Sequence, residues 1–243
     1  MSVAVPSPRA AAGPLSIQRL TRTEDGEQLH GLLWRAGPGW RMISSAVLGG
    51  GLGERSWVLN AQVAHGYRRT DPDAHLADLA DAAGALGPGV GLMTAADVSA
   101  YGHGHDGGVD AVATAGLRVR GWAAAPDAEP STTRAGAGTI NVVVALPVAL
   151  TDAALVNAVA TATEAKVQAL LDAGYDCSGT PTDAVCVAAR TPRPGAEVHP
   201  FAGPRSLWGA RLARAVHEAV RTSVPAPCRP PDAADLRSPT SAP

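Results

Sequence analysis

Lysine is all but absent from this chain: Lys166 is the only one, and every other one of its 20 basic side chains is Arg. Arg serves wherever a surface simply needs positive charge, so a solitary Lys marks a place that calls for a compact amine able to give up its proton. Cysteine is scarce as well. Cys177, Cys186 and Cys228 form no CxxC pair, which excludes a disulfide framework and a zinc site of the usual spacing. No apolar run approaches the ~20 residues that span a bilayer. The first fifteen residues alternate Pro, Arg and Ala without the apolar core of a signal peptide, so the expected location is the cytoplasm. A formal net charge of -2 provides no basic field to gather nucleic acid or an anionic membrane.

What is present suffices for one folded domain. Hydrophobic residues make up 46% of 243, ample for a core over residues 15–221. Residues 1–14 and 222–243 are Pro-, Ala- and Ser-rich and read as mobile tails. Met42–Leu48 and Ser56–Ala64 read as two strands of a hairpin turning at Gly49–Gly53. Asp71 and Pro72 open a helix with Leu76, Leu79, Ala80, Ala83 and Leu86 on one stripe. Gly91–Ala95, Ala111–Ala115 and Leu117–Ala124 are short β segments, with the glycine-rich stretch 100–108 as a loop. The β-branched Thr139–Leu146 is a buried strand, Thr151 and Asp152 cap a helix to Ala173, and Asp183–Ala189 is a further strand. This makes a β-α-β unit over 139–189. A last helix spans about Arg205–Arg221. The fold class is α+β: a single layered domain of mixed sheets flanked by helices.

Several chemistries are excluded. Gly49–Gly53 lacks the Gly-Lys-Ser/Thr of a phosphate loop and is followed by a strand, not a helix. No GxSxG elbow occurs. His103 and His105 sit in a glycine-rich stretch with no third ligand fixed by spacing, so no metal site is assigned. On the long helix, Val156, Val159, Thr163, Val167 and Leu170 define the buried stripe, which puts Lys166 about 60° to one side and Glu164 about 100° to the other. Lys166 at such a boundary is either an aliphatic stem with a solvated or paired amine or a proton-transfer group. In Gly179-Thr180-Pro181-Thr182-Asp183, small hydroxyls, backbone N–H groups and one carboxylate suit either a capped turn or the grip on an amide. Ser44, Ser45, Asn60 and Thr94 are polar groups inside apolar segments.

An ordered series of these segments resembles the adenosylcobinamide amidohydrolase family: Ser44–Gly51, Asn60, Gly91–Ala95, Thr114-Ala115-Gly116, Gly138–Asn141, Ala162–Lys166, and Gly179-Thr180 with Thr182-Asp183. The resemblance implies hydrolysis of the amide joining the corrin propionyl side chain to aminopropanol. The expected partner is a small corrinoid, adenosylcobinamide, with no further cofactor, and a homodimer is the assembly allowed for. In that family the Thr-Ala-Gly segment leads into an Asn-containing stretch, where this chain has Leu117-Arg118-Val119-Arg120-Gly121. The 138–141 strand with its helix and Gly-Thr loop also resembles the self-processing aminopeptidase and ornithine acetyltransferase architecture, which implies an αββα sandwich and makes Thr94 a candidate nucleophile.

Amide hydrolysis needs an activated oxygen, donors for the oxyanion and a proton for the leaving amine. The catalytic candidates are Lys166, Asp183, Thr94 and Glu164: Thr94 or a bound water as the oxygen, and Lys166 or Asp183 as base then acid. Asn141 and Thr182 are the candidate donors. Ser44, Ser45, Asn60, Thr139, Asn141, Thr180 and Thr182 are the substrate-binding candidates. The alternatives are a corrinoid-binding module without catalysis and a related amidase or self-processing peptidase.

Overall fold

The computed structural model describes residues 14–126 and 138–225. Two strands that hydropathy patterning passed over open the domain, β1 (Ile17–Glu24) and β2 (Glu27–Trp34), paired antiparallel. Their turn is Asp25-Gly26, both with positive φ (49° and 80°), the conformation that matches the strand twist and favours Asp-Gly. β3 (Trp40–Ser44) pairs with β4 (Gly51–Glu54). The expected 42–64 hairpin is therefore not formed, because β5 (Trp57–Gln62) leaves for the other sheet and pairs with β2. Helix α1 (Pro72–Ala82) ends before Leu86, which is left 83% exposed. The Asp71 carboxylate engages Arg69 instead of capping that helix.

β6 (Gly89–Thr94) runs parallel to β5. β7 (Gly102–Asp106) and β8 (Val109–Gly116) form an antiparallel pair, so 100–108 is largely strand and not a loop. Its glycines have a packing reason: a Cβ on Gly102 or Gly104 would overlap the carbonyls of Ala219 and Ala215, so glycine lets helix α3 (Leu207–Ser223) lie on the strand backbone. Leu117–Ala124 is not a strand either; it is irregular, with one bridge, Gly121 to Gly179, and an Ala123 N–H that donates to the Ser178 hydroxyl at 2.7 Å. β9 (Thr139–Ala145), β10 (Ala149–Leu150), helix α2 (Asp152–Asp172), β11 (Ala184–Arg190) and β12 (Val198–His199) complete the fold. β9 and β11 are parallel, as the β-α-β reading requires. Of the expected tails, residues 1–13 and 226–243 lie outside the described residues, and α3 runs two residues further than expected, to Ser223.

The strands form a four-stranded sheet, β1-β2-β5-β6, a six-stranded sheet, β4-β3-β11-β9-β8-β7, and a small parallel pair, β10-β12. Three apolar layers show how they stack. Ile140, Val142 and Val144 of β9 face α2 and α3. Their alternate neighbours Val143 and Ala145 meet Leu32, Trp34, Val58 and Leu92 of the other sheet. Leu33, Trp57 and Leu59 then turn outward onto Leu76 and Ala80 of α1. The period-2 alternation of strand side chains thus produces an αββα sandwich.

The buried face of α2 differs from the expected one. Ala154, Ala158, Ala162, Ala165 and Ala169 face inward, while Val156 is 60% exposed. Small side chains let α2 approach α3 and the sheet closely, and that close packing outweighs the larger transfer energy of a single valine. The rotation carries Lys166 inside, to 7% exposure, instead of leaving it at the edge.

Candidate active site

The parallel pair β9 and β11 starts at one end of the sandwich, and there the strand ladder continues into a side chain. Asp183, just before β11, accepts the Ile140 N–H at 2.9 Å on Oδ1. The Thr180 hydroxyl also reaches Oδ1, sharing its one proton with the Gly138 carbonyl at 2.8 Å. On Oδ2 the carboxylate accepts the Thr180 N–H at 3.2 Å and the Lys166 ammonium. Four donors meet a group with about four lone-pair sites. Gly179 makes the approach possible, since a Cβ there would overlap both Asp183 Oδ2 and Lys166 Nζ. The side chains of Lys166 and Asp183 are only 8% and 13% exposed, so this is a shielded ion pair.

Two clefts flank this pair. One, of about 500 Å³, opens between the sheet ends and is lined by Ser45, Tyr67, Thr94, Thr139, Thr182 and Asp183. The other, of about 580 Å³, is lined by Arg120, Trp122, Lys166, Ser178, Thr180 and Asp183. Asp183 is the one residue common to both. It stands in the partition between them.

The remaining candidates fall into three groups. Thr139 and Thr182 face each other, Oγ1 to Oγ1, at 2.6 Å, and Thr182 donates to the Gly138 carbonyl at 2.9 Å. Beneath the first cleft lies a buried amide network. Asn60 Nδ2 donates to Thr114 Oγ1 at 2.9 Å, and Asn141 Nδ2 donates to Asn60 Oδ1 at 2.8 Å and to the Met93 carbonyl at 3.1 Å. Both Asn141 amide protons are thereby committed, while its Oδ1 is buried without a partner. Ser44 is buried; it donates to the Val185 carbonyl at 2.9 Å and accepts the Ala46 N–H.

Ser45 and Thr94 form the third group. Their hydroxyls accept from Val185 N at 3.1 Å and Ala96 N at 3.0 Å, and among the described residues neither donates to any group. These two hydroxyl protons are uncommitted on the wall of the first cleft. Glu164 is exposed and lines neither cleft. His103 and His105 are also elsewhere, at the β7 edge, where His105 Nδ1 lies 2.5 Å from Asp110 Oδ1.

Sequence reasoning missed two wall elements. Tyr67 borders the first cleft and its hydroxyl contacts His75 Nδ1 at 3.0 Å; burial pushes the phenol upward. Arg120 and Trp122 border the second, on the segment read as a strand. The Gly121-Gly179 bridge ties that segment to the Asp183 loop, and only the glycines at both ends hinted at such an approach.

Comparison with known proteins converges on one family. The adenosylcobinamide amidohydrolase family model matches residues 16–229. An adenosylcobinamide amidohydrolase of Methanosarcina mazei is 31% identical over 187 residues, 74% of this chain and 88% of that protein. One from Halobacterium salinarum is 44% identical over 113 residues, 46% of this chain and 44% of that protein. Among solved structures, the PH0078 protein of Pyrococcus horikoshii OT3 aligns with a TM-score of 0.48 at 13% identity, over 92% of this chain and 89% of that one. With a family match across the whole described domain and a relative above 30% identity over most of its length, the chain belongs to the adenosylcobinamide amidohydrolase family.

Proposed function

We propose that this protein hydrolyses the amide between the corrin propionyl side chain and aminopropanol in adenosylcobinamide, giving adenosylcobyric acid for cobalamin salvage in the cytoplasm. The observation that carries the chemistry is the chain's only lysine, ion-paired to the one residue that lines both clefts. Neither cleft alone would enclose a corrinoid. A scissile amide laid across the partition has its acyl part on one side and its amine part on the other.

Donor accounting distributes the roles. Asn141 and Thr182 spend their protons inside the fold, so they shape the cleft floor instead of holding an oxyanion. Ser45 and Thr94, with unspent hydroxyl protons, are the donors to the developing oxyanion. Among the described residues no base is hydrogen-bonded to the Thr94 hydroxyl, which favours water as the attacking oxygen. Water adds to the carbonyl carbon and the C–N bond breaks. The leaving nitrogen takes a proton from the Lys166 ammonium, which regains one from the water. Asp183, its lone pairs filled, holds that ammonium in place.

The test is to incubate the protein with adenosylcobinamide and look for aminopropanol and adenosylcobyric acid, with cobalamin as comparison substrate. A corrinoid absorption change without aminopropanol would instead indicate a binding module. An acyl adduct on Thr94 in quenched samples would overturn the assignment of water.

A further inference from the structure

The opposite end of the sandwich carries a third polar cavity, which amide hydrolysis does not use. β9 and β11 each run seven residues, so their C-terminal ends lie roughly 20 Å from Asp183. There a cavity of about 510 Å³ is lined by Arg190, Thr191, Arg193, Glu197 and His199, with Pro147–Ala149 as its apolar side. Arg190 stacks over the Trp40 ring at 3.8 Å from its centroid. The Arg190 N–H donates to the Val148 carbonyl at 2.8 Å, but among the described residues neither the Arg190 nor the Arg193 guanidinium has a hydrogen-bond acceptor or a carboxylate partner. Elsewhere Arg41, Arg69 and Arg214 are each paired with an Asp.

Two arginines left together without an anion are an unbalanced arrangement. Burial first, and then the neighbouring Arg193 charge, hold the Arg190 guanidinium below its ordinary range. The one acid on the rim, Glu197, is 81% exposed and lies 3.4 Å from His199 Nδ1. A third feature sits beside the arginines: the Thr191 hydroxyl is buried with no partner, a state that costs free energy unless a ligand completes it. Thr191 is held in place by its own N–H, which donates to the Gly39 carbonyl at 3.0 Å.

We propose that this cavity is a phosphate-binding site, taking free phosphate or the phosphate group of a small ester between Arg190 and Arg193, with the Thr191 hydroxyl as a further donor. Guanidinium forks match tetrahedral oxyanions in charge and geometry. Two forks and a hydroxyl offer more donors than the two oxygens of a carboxylate can use, which favours phosphate.

Calorimetric titration of the full-length protein tests this, with inorganic phosphate, adenosine monophosphate and acetate as separate probes. Saturable phosphate binding is expected, weakened about tenfold or more by Arg193→Ala and abolished by Arg193→Glu. Arg193 is exposed, so neither change threatens folding, and both variants keep the circular dichroism of the parent. Thr191→Val weakens phosphate binding without lowering the melting temperature of the unliganded protein. Tighter binding of adenosine monophosphate than of phosphate identifies an ester as the ligand, and the reverse order identifies the free ion; either supports the site. No saturable phosphate heat, unchanged binding in Arg193→Glu, or acetate binding as tightly as phosphate would overturn it.

Discussion

Removing either partner of the Lys166–Asp183 pair should cost different amounts, because the two partners are unequally supported. With Lys166→Met, Asp183 keeps three donors: Ile140 N, Thr180 N and the Thr180 hydroxyl. The carboxylate stays largely satisfied, so the expected loss is about 1–2 kcal/mol, near that of one hydrogen bond to a charged group. With Asp183→Ala, the Lys166 ammonium keeps no acceptor among the described residues, and the Ile140 and Thr180 N–H groups lose theirs, while the Thr180 hydroxyl retains the Gly138 carbonyl. An unpaired buried charge costs about 3–5 kcal/mol; the partial exposure of both side chains, 8% and 13%, brings the expected loss to about 3 kcal/mol. Urea denaturation at constant m-value reads the difference. Turnover of adenosylcobinamide, followed by aminopropanol release, should fall about 10²–10⁴-fold in both variants, and Lys166→Arg should not restore it, since a planar guanidinium does not replace a compact ammonium against Gly179. Equal or inverted stability losses would refute the donor accounting. Near-parental turnover in either variant would remove the pair from the chemistry.

Gly179→Ala should reproduce much of the Lys166 defect without removing a polar group, because its methyl occupies the space where ammonium and carboxylate meet; an unimpaired variant by the same turnover assay would show that the pair can part freely. Replacing Asn141 with Leu leaves Asn60 Oδ1 and the Met93 carbonyl without their donor and should destabilise the protein by about 1–3 kcal/mol in chemical denaturation; a neutral result would mean that water or rearrangement satisfies both. Burial pushes the Cys186 thiol from 9.0 up to about 12. Its stabilising contribution is therefore fully present below pH 9.0 and is lost as pH rises toward 12, and iodoacetamide at about pH 8 should leave the Cys186 peptide unmodified in native protein. Alkylation there at the rate of an open thiol, read by mass spectrometry, would contradict that.

The β-α-β unit was the most legible part of the chain because its signals agree: a β-branched run, Thr151 as a cap whose hydroxyl accepts the Ala154 N–H, and a glycine stop. What failed was partnership. Alternation in 42–48 and 56–64 reveals two strands but not that a two-sheet fold sends them to different sheets. The phase of α2 was misjudged because hydrophobicity ranks Val above Ala, whereas helix packing here selects small side chains. Asp25-Gly26 is a strong local turn signal, but the strands on either side of it, β1 and β2, do not stand out by hydropathy. Of the site, Lys166, Asp183, Thr180 and Thr182 are brought together, and Thr139 with them. Glu164 is set apart on the exposed helix face, and the Asn60–Asn141 pair lies under the cleft and not on its surface. Donor commitment is what separates the floor from the wall, and it depends on partners more than 50 residues away, beyond the reach of any local pattern.

The pairing of a helix residue with a loop residue 17 positions later follows from the crossover itself. β9, with seven residues, carries the chain about 23 Å along the sheet. α2 must then return along the same axis before β11 can start parallel to β9. Lys166 lies almost four turns into that return, about 21 Å back, which brings it level with the end of the sheet where β9 and β11 begin. The 179–183 loop has to deliver Asp183 to that same level, because the register sets Ala184 opposite Asn141 and so aligns Asp183 with the free Ile140 N–H. Two residues earlier on the helix, Glu164 is rotated by about 200° and faces away. The strand length, the helix rise and the parallel register together fix which side chain of α2 can reach Asp183, and the inward rotation of its alanine face turns that reach into a shielded ion pair.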